Sequence, residues 1–199
     1  MDRRHCWYGL FINQNKALTA FHVLNRSSFN GKSENNVKIW LLNESFFPIE
    51  LRANDLVEKP DRDITIINVP RSVSREFVFE IAELTPRVRE VRSEGFMATS
   101  TEGVTFTLEG GSLSIKSVQK LSRVLIGNQR VLATSVVSIN ATDVKLREVK
   151  CLEYSFRPVK GTSGGPVIDE NGKVVAVNSF GNPKDWSTTF GVVLSQAAY

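Results

Sequence analysis

Two cysteines stand in the 199 residues, Cys6 and Cys151, far apart in the chain. That excludes a disulfide-dense secreted scaffold and points to a reducing, intracellular compartment. No run of eighteen apolar residues occurs, so no segment reads as a membrane-spanning helix. The first nine residues lack the apolar stretch and small-residue cleavage site of a secretory signal. Without a secretory route the sequons at Asn25, Asn43 and Asn140 read as chance matches. The net charge is only +4, and the basic residues are scattered: Arg87, Arg89 and Arg92, then Lys116, Lys120 and Arg123. A solvated basic face accounts for them, and nucleic-acid binding has no dense patch to rest on. The His, Cys, Asp and Glu residues show no ligand spacing, so the sequence predicts no metal and no cofactor. With just two histidines, His5 and His22, histidine chemistry has few places to be.

What the chain does have is 41% apolar residues, enough for one large domain or two small ones. Short apolar runs are separated by turn residues along most of its length. A hairpin is predicted over residues 7–19, with strands at 37–42, 46–51 and after Asp63. Residues 69–94 are charged, carry Pro70 and Pro86, and read as a connection containing a short helix over 75–84. Beyond Gly95 strands are expected at 96–99, 104–108, 112–120, 123–126 and 131–139, with a turn at Gly127-Asn128. A last hairpin turns at Asp169-Glu-Asn-Gly172. Many short strands at regular spacing indicate an all-β barrel or sandwich.

One stretch carries chemistry: Lys160-Gly-Thr-Ser-Gly-Gly-Pro-Val167. Glycines on both sides of a serine allow backbone angles closed to residues with a β-carbon and a close approach by another main chain. A serine held on such a turn can attack a carbonyl, and the amides of Gly161 and Ser163 can hold the oxyanion that develops. A serine nucleophile needs a base, and the base an orienting acid. His22, in Thr19-Ala-Phe-His-Val23, is the candidate base, since His5 precedes the first strand. Asp63 directly precedes Ile64-Thr-Ile-Ile67 and is the candidate acid, with Asp61 in reserve.

These three stretches resemble the Thr-Ala-x-His, Asp-plus-apolar-run and Gly-x-Ser-Gly-Gly-Pro elements of chymotrypsin-like (trypsin-fold) serine proteases. The order His22, Asp63, Ser163 is also that of the family. The resemblance implies two antiparallel β-barrels with the active site in the cleft between them. Residues 1–85 would carry His22 and Asp63, and residues 86–199 would carry Ser163 and the specificity pocket. It implies a serine endopeptidase working through an acyl-enzyme on a polypeptide substrate, and a pocket built from Arg157, Pro158, Lys160, Ser179, Phe180, Gly181, Thr188, Thr189 and Gly191. Asn178 would stand near the base of that pocket. Gly181 and Gly191 would leave room for a substrate side chain, and the absence of an acid would disfavour Lys or Arg there, which leaves a hydrogen-bonding residue, or an acidic one facing Arg157, as the expected substrate side chain and a medium apolar one as the alternative. Thr162 stands where zymogen-activated relatives have Asp. The chain therefore resembles members that need no such activation, namely viral polyprotein proteases and the high-temperature-requirement proteases. The viral reading, a protease domain cut from its own polyprotein in a host cytoplasm, is preferred. A cellular protease and a catalytically silent protease-fold module are the alternatives.

Overall fold

The computed structural model describes residues 9–24, 36–41, 47–70, 72–98, 105–109, 112–117, 121–140, 144–159 and 161–195. His5, Cys6, Lys160 and the sequons at Asn25 and Asn43 lie outside them. Among the described residues no helix is long and apolar enough to cross a membrane.

The chain opens with β1 (Leu10–Asn13) and β2 (Lys16–Ala20), an antiparallel hairpin. The Asn13 side chain accepts the Asn15 N–H at 2.8 Å, a local bond that favours the turn over further strand. A single helical turn, α1 (Phe21–Leu24), follows directly. β3 (Asn36–Leu41) and β4 (Phe47–Arg52) pair with each other, and β5 (Leu56–Lys59) pairs with β6 (Ile64–Asn68). The sheet order is β1-β2-β6-β5, with β3-β4 a separate ribbon. The strands expected in this half are present and β5 joins them, and among the described residues they form a four-stranded sheet and a hairpin rather than a closed barrel. β2 and β6 are buried on both faces: Leu18, Ile64 and Ile66 enter one apolar cluster, Ala17, Ala20 and Ile67 another.

The second half contains β7 (Glu90–Ala98), β8 (Thr105–Glu109), β9 (Ser112–Ser117), β10 (Leu121–Asn140), β11 (Lys145–Tyr154), β12 (Pro166–Asp169), β13 (Val174–Gly181) and β14 (Thr189–Val193). Six of these close a barrel in the order β10-β11-β14-β13-β12-β7, and β8-β9 stands apart. The expected turn at Gly127-Asn128 does not form. It is a register irregularity inside the 20-residue β10, which pairs with β7 before it and with β11 after it. Gly and Asn are turn residues in isolation; here two long partner strands turn the same flexibility into a bulge.

The expected helix over 75–84 is also absent. Only Arg75–Phe77 makes a 3₁₀ turn, and the segment then runs extended, with parallel bridges Phe11↔Val78 and Ile81↔Val174. Phe79 N–H donates to Phe11 O at 2.8 Å and Ala82 N–H to Val174 O at 3.0 Å, so the connection is stitched to both halves. Those strand edges offer more hydrogen bonds than an isolated short helix could make for itself.

The halves also share a core. Leu10, Leu18, Ile64 and Ile66 pack in one cluster with Cys151, Ile168, Val177 and Val192. Exposing even two such side chains would cost about 3–6 kcal/mol, against about 5–15 kcal/mol of total stability for a typical protein. That is enough to hold the two halves in one arrangement.

Candidate active site

Asp63 follows the 3₁₀ turn Pro60–Arg62 and takes a left-handed φ of 51°. An aspartate tolerates this region better than most residues, though at a cost. The position is held from several sides. Asp63 N–H donates to Pro60 O at 3.3 Å, and Asp63 O accepts the Phe21 N–H at 3.0 Å. Its Oδ1 accepts the His22 backbone N–H at 2.8 Å. The aspartate thus anchors the start of α1 and thereby the histidine. His22 Nδ1 lies 2.8 Å from Oδ2 and 3.0 Å from Oδ1, which fixes the imidazole with Nδ1–H as the donor. The Ser179 hydroxyl donates to Oδ2 as well. Asp63 is only 1% exposed, so these donors stand in for water around its charge. Asp61, the reserve acid, is exposed on the turn.

The charge of Asp63 is felt on β11 of the second half. Burial pushes the Cys151 thiol up to about 12, and the Asp63 carboxylate adds to the rise. Cys151 is free and buried.

The serine loop is built from its own backbone bonds. Gly161 and Gly164 have φ of 93° and 83°, which requires glycine. Gly164 N–H donates to Asn178 O at 2.8 Å, and Asn178 N–H to Gly165 O at 2.9 Å, tying the loop to β13. Thr162 donates both its N–H and its hydroxyl to Val159 O, at 3.3 and 2.8 Å. Among the described residues, the amides of Gly161 and Ser163 have no acceptor. Gly95 of β7 lies beneath: a β-carbon there would meet Thr162 Cγ2 at 2.9 Å and Gly161 O at 3.2 Å. Its role was not visible in the sequence, because only the barrel closure brings β7 under the loop.

Ser163 and the His22–Asp63 pair meet through Ser179. The Ser163 hydroxyl donates to Ser179 O at 3.3 Å while the Ser179 hydroxyl bonds Asp63. In this rotamer Ser163 makes no hydrogen bond to His22. Sequence reasoning placed Ser179 in a pocket wall; its contact with the buried acid was missed.

The predicted specificity residues lie close together, but several are committed to packing. Gly181 and Gly191 do not leave open space. A β-carbon at Gly181 would meet Pro158 Cγ at 2.3 Å and Trp186 Cζ3 at 3.1 Å; at Gly191 it would meet Ala176 Cβ at 3.1 Å and Val167 Cγ2 at 3.2 Å. The missing side chains are used for wall-to-wall contact. Phe180 packs on Phe190 with ring centroids 5.1 Å apart. The Thr189 hydroxyl donates to Phe156 O at 2.6 Å, and Arg157 is exposed. Glu153 was not anticipated: its Oε1 accepts from Asn182 Nδ2 and Thr188 Oγ1, both at 2.7 Å, and clamps the loop bearing Trp186. Asn178 is 1% exposed, donates through Nδ2 to Ser93 Oγ, and leaves its Oδ1 without a partner. Ser93 Oγ in turn donates to Pro166 O at 3.1 Å.

The sequence matches the trypsin-like peptidase domain over residues 8–177. No curated protein matches it. Among solved structures, an inactive mutant form of Rv3671c from M. tuberculosis H37Rv aligns with a TM-score of 0.61 at 18% identity, covering 96% of this chain and 77% of that one. The human pathogenic astrovirus serine protease aligns with a TM-score of 0.55 at 17% identity, covering 96% and 84%. Tobacco etch virus protease, complexed with product, aligns with a TM-score of 0.55 at 14% identity, covering 95% and 66%.

Proposed function

Since the chain belongs to the trypsin-like peptidase family and is a serine peptidase, we propose that Ser163 is its nucleophile, His22 its general base and acid, and Asp63 the group that orients His22. A rotation about the Ser163 Cα–Cβ bond carries the hydroxyl from Ser179 O toward the imidazole; such bonds are often unformed before substrate binds. Ser163 Oγ then attacks the peptide carbonyl while its proton passes to His22 Nε2. The oxyanion is met by the free N–H groups of Gly161 and Ser163. His22 returns the proton to the leaving amine, and water repeats the sequence on the acyl-enzyme. The observation that carries this reading is the three-donor hold on buried Asp63, from the His22 backbone N–H, Nδ1–H and the Ser179 hydroxyl. A structural ion pair would not need an imidazole fixed in one tautomer. In this reading residues 1–85 bring the base and acid, and residues 86–199 the nucleophile and the substrate pocket.

The biological role we propose is processing of a polyprotein that contains this chain, in a reducing host cytoplasm. Its support is Thr162. The Thr162 hydroxyl is satisfied by Val159 O at 2.8 Å, within the loop itself. A loop closed by its own bonds has no need of a cleaved N-terminus, which suits a protease that must act while still part of its precursor. The fold is shared with the astrovirus and tobacco etch virus proteases and equally with an HtrA-type protease, AlgW. Expression of the complete natural reading frame tests the role. Fragments that appear with the wild type and vanish with Ser163→Ala support it; an unprocessed product from an active protein points to a cellular, HtrA-like protease.

A further inference from the structure

The long strand β10 has two edges, and each of its halves uses only one. Residues 121–130 pair with β7, and Val131 N–H still donates to Arg89 O at 2.8 Å. From Val131 on, the strand pairs with β11 instead, and the register irregularity between Val131 and Ala133 marks the change. Among the described residues nothing pairs with the other edge from Leu132 to Asn140. That leaves nine residues, about 30 Å of strand, with alternate backbone N–H and C=O groups turned to solvent.

Natural sheets blunt such an edge with charged side chains or proline. Leu132-Ala-Thr-Ser-Val-Val-Ser-Ile-Asn140 contains neither. Val137 and Ile139 turn onto the core. The other face carries Leu132, Thr134, Val136 and Ser138, all exposed, with Val136 at 68% and Leu132 at 47%. An uncharged edge of this length, rich in β-branched residues, is a template for another strand.

We propose that residues 132–140 of β10 pair antiparallel with the same strand of a second copy of this chain, across a two-fold axis at Val136. The free stretch is bounded by β7 at Val131 and by the end of the strand at Asn140, so Val136 is its midpoint. In this register Val136 meets its own counterpart, Thr134 meets Ser138, and Ala133 meets Ile139. Both copies' free edges are filled along their whole length, so the assembly closes at two. Charge also favours a second copy. The stretch brings no charge against itself, and an acidic or basic partner strand would find no counter-charge along it. The exposed cations Lys145, Arg147 and Lys150 lie on β11. In the pair the two β11 strands stand three strand spacings apart, about 14 Å, beyond the screening length of about 8 Å at physiological salt. Nine residues a side is below the roughly 20–30 of a standard interface, so the dimer is weak, with a Kd of about 1–100 µM. None of this depends on the assignment of Ser163.

The test is sedimentation equilibrium of the full chain from about 1 to 300 µM, either side of that Kd. The wild-type mass is expected to rise from one chain to two. Val136→Lys and Val136→Glu each set like charges against one another at the axis, and each should raise Kd tenfold or more. Val136 is exposed and stands outside the candidate site, so melting temperature and peptide cleavage should stay at wild-type values. An equimolar mixture of the two variants should dimerise again, because the axis then sets one variant's cation against the other's carboxylate. A wild type that stays a single chain throughout, a dimer indifferent to both substitutions, or a mass that climbs past two chains would overturn the inference. So would a mixture that stays monomeric, since only a two-fold at Val136 brings the two charges together. A monomeric wild type whose Val136→Lys form loses peptide cleavage would give the edge to substrate and likewise overturn it.

Discussion

Replacing Ser179 by alanine separates the two jobs this residue does. Its carbonyl, which accepts the Ser163 hydroxyl at 3.3 Å, belongs to the backbone and survives. Its hydroxyl, which donates to Asp63 Oδ2, is lost. The carboxylate is left with the two His22 donors, Nδ1–H and backbone N–H, each at 2.8 Å, and has no water to replace the third because it is 1% exposed. A hydrogen bond to a charged group is worth about 1.5–3 kcal/mol. If the loss falls on the orientation of His22, kcat should drop about 10- to 150-fold, since about 1.4 kcal/mol is a factor of ten. That is well short of losing the acid, because both bonds to His22 remain. KM should change little, as no contact with substrate is removed. Ser179→Thr keeps the hydroxyl and should recover most of the activity. The assay is steady-state kcat and KM for the two variants, with thermal melting as a control for folding. A Ser179→Ala enzyme within twofold of wild type in kcat, or a threonine variant as impaired as the alanine one, would refute the view that this hydroxyl holds the acid in place.

Asp63→Asn should cost about 10⁴-fold in kcat by stabilising the wrong imidazole tautomer, whereas Asp61→Asn, on an exposed turn, should change kcat little; the reverse pattern in kinetics would reassign the acid. Gly95→Ala puts a β-carbon 2.9 Å from Thr162 Cγ2 and 3.2 Å from Gly161 O, so the loop must shift by a few tenths of an ångström. A fall of about 10- to 100-fold in kcat with KM nearly kept is expected, and unchanged kcat would mean the loop has slack. Cys151 has its thiol pushed up from 9.0 to about 12 by burial and the nearby Asp63 charge. The folded protein therefore holds this proton more tightly than the unfolded chain, so its contribution to stability is complete below about pH 9 and is lost as pH rises toward 12. In a Cys6→Ser background the remaining thiol should stay silent to a disulfide reagent at pH 8 until the protein unfolds; prompt labelling of the native protein would contradict this.

What could be read ahead of the structure was what is local. The serine loop needs glycine at Gly161 and Gly164 because of their positive φ, and that constraint is written in the sequence itself. His22 stood out within Thr19-Ala-Phe-His-Val23, and Asp63 because it directly precedes an apolar run. What failed or was missed depends on pairing across long sequence distances. Gly127-Asn128 has the composition of a turn, and only the register of β7 and β11 along β10 makes it a bulge. The segment 75–84 has helical composition, and only the free edges at Phe11 and Val174 draw it out straight. Ser93 with Asn178, Gly95 with Thr162 and Glu153 with Thr188 are 85, 67 and 35 residues apart. No pattern along the chain joins them. The two pocket glycines misled for a related reason: a missing side chain signals that something comes close, and here the neighbours are Pro158 and Val167.

The most direct test of the central claim is mass spectrometry of the protein after reaction with a fluorophosphonate, followed by digestion. One adduct per chain, on the peptide holding Ser163 and strongly reduced in His22→Ala, is the predicted result. An adduct on another residue, or a Ser163→Ala protein that still cleaves peptide at the wild-type rate, would contradict it.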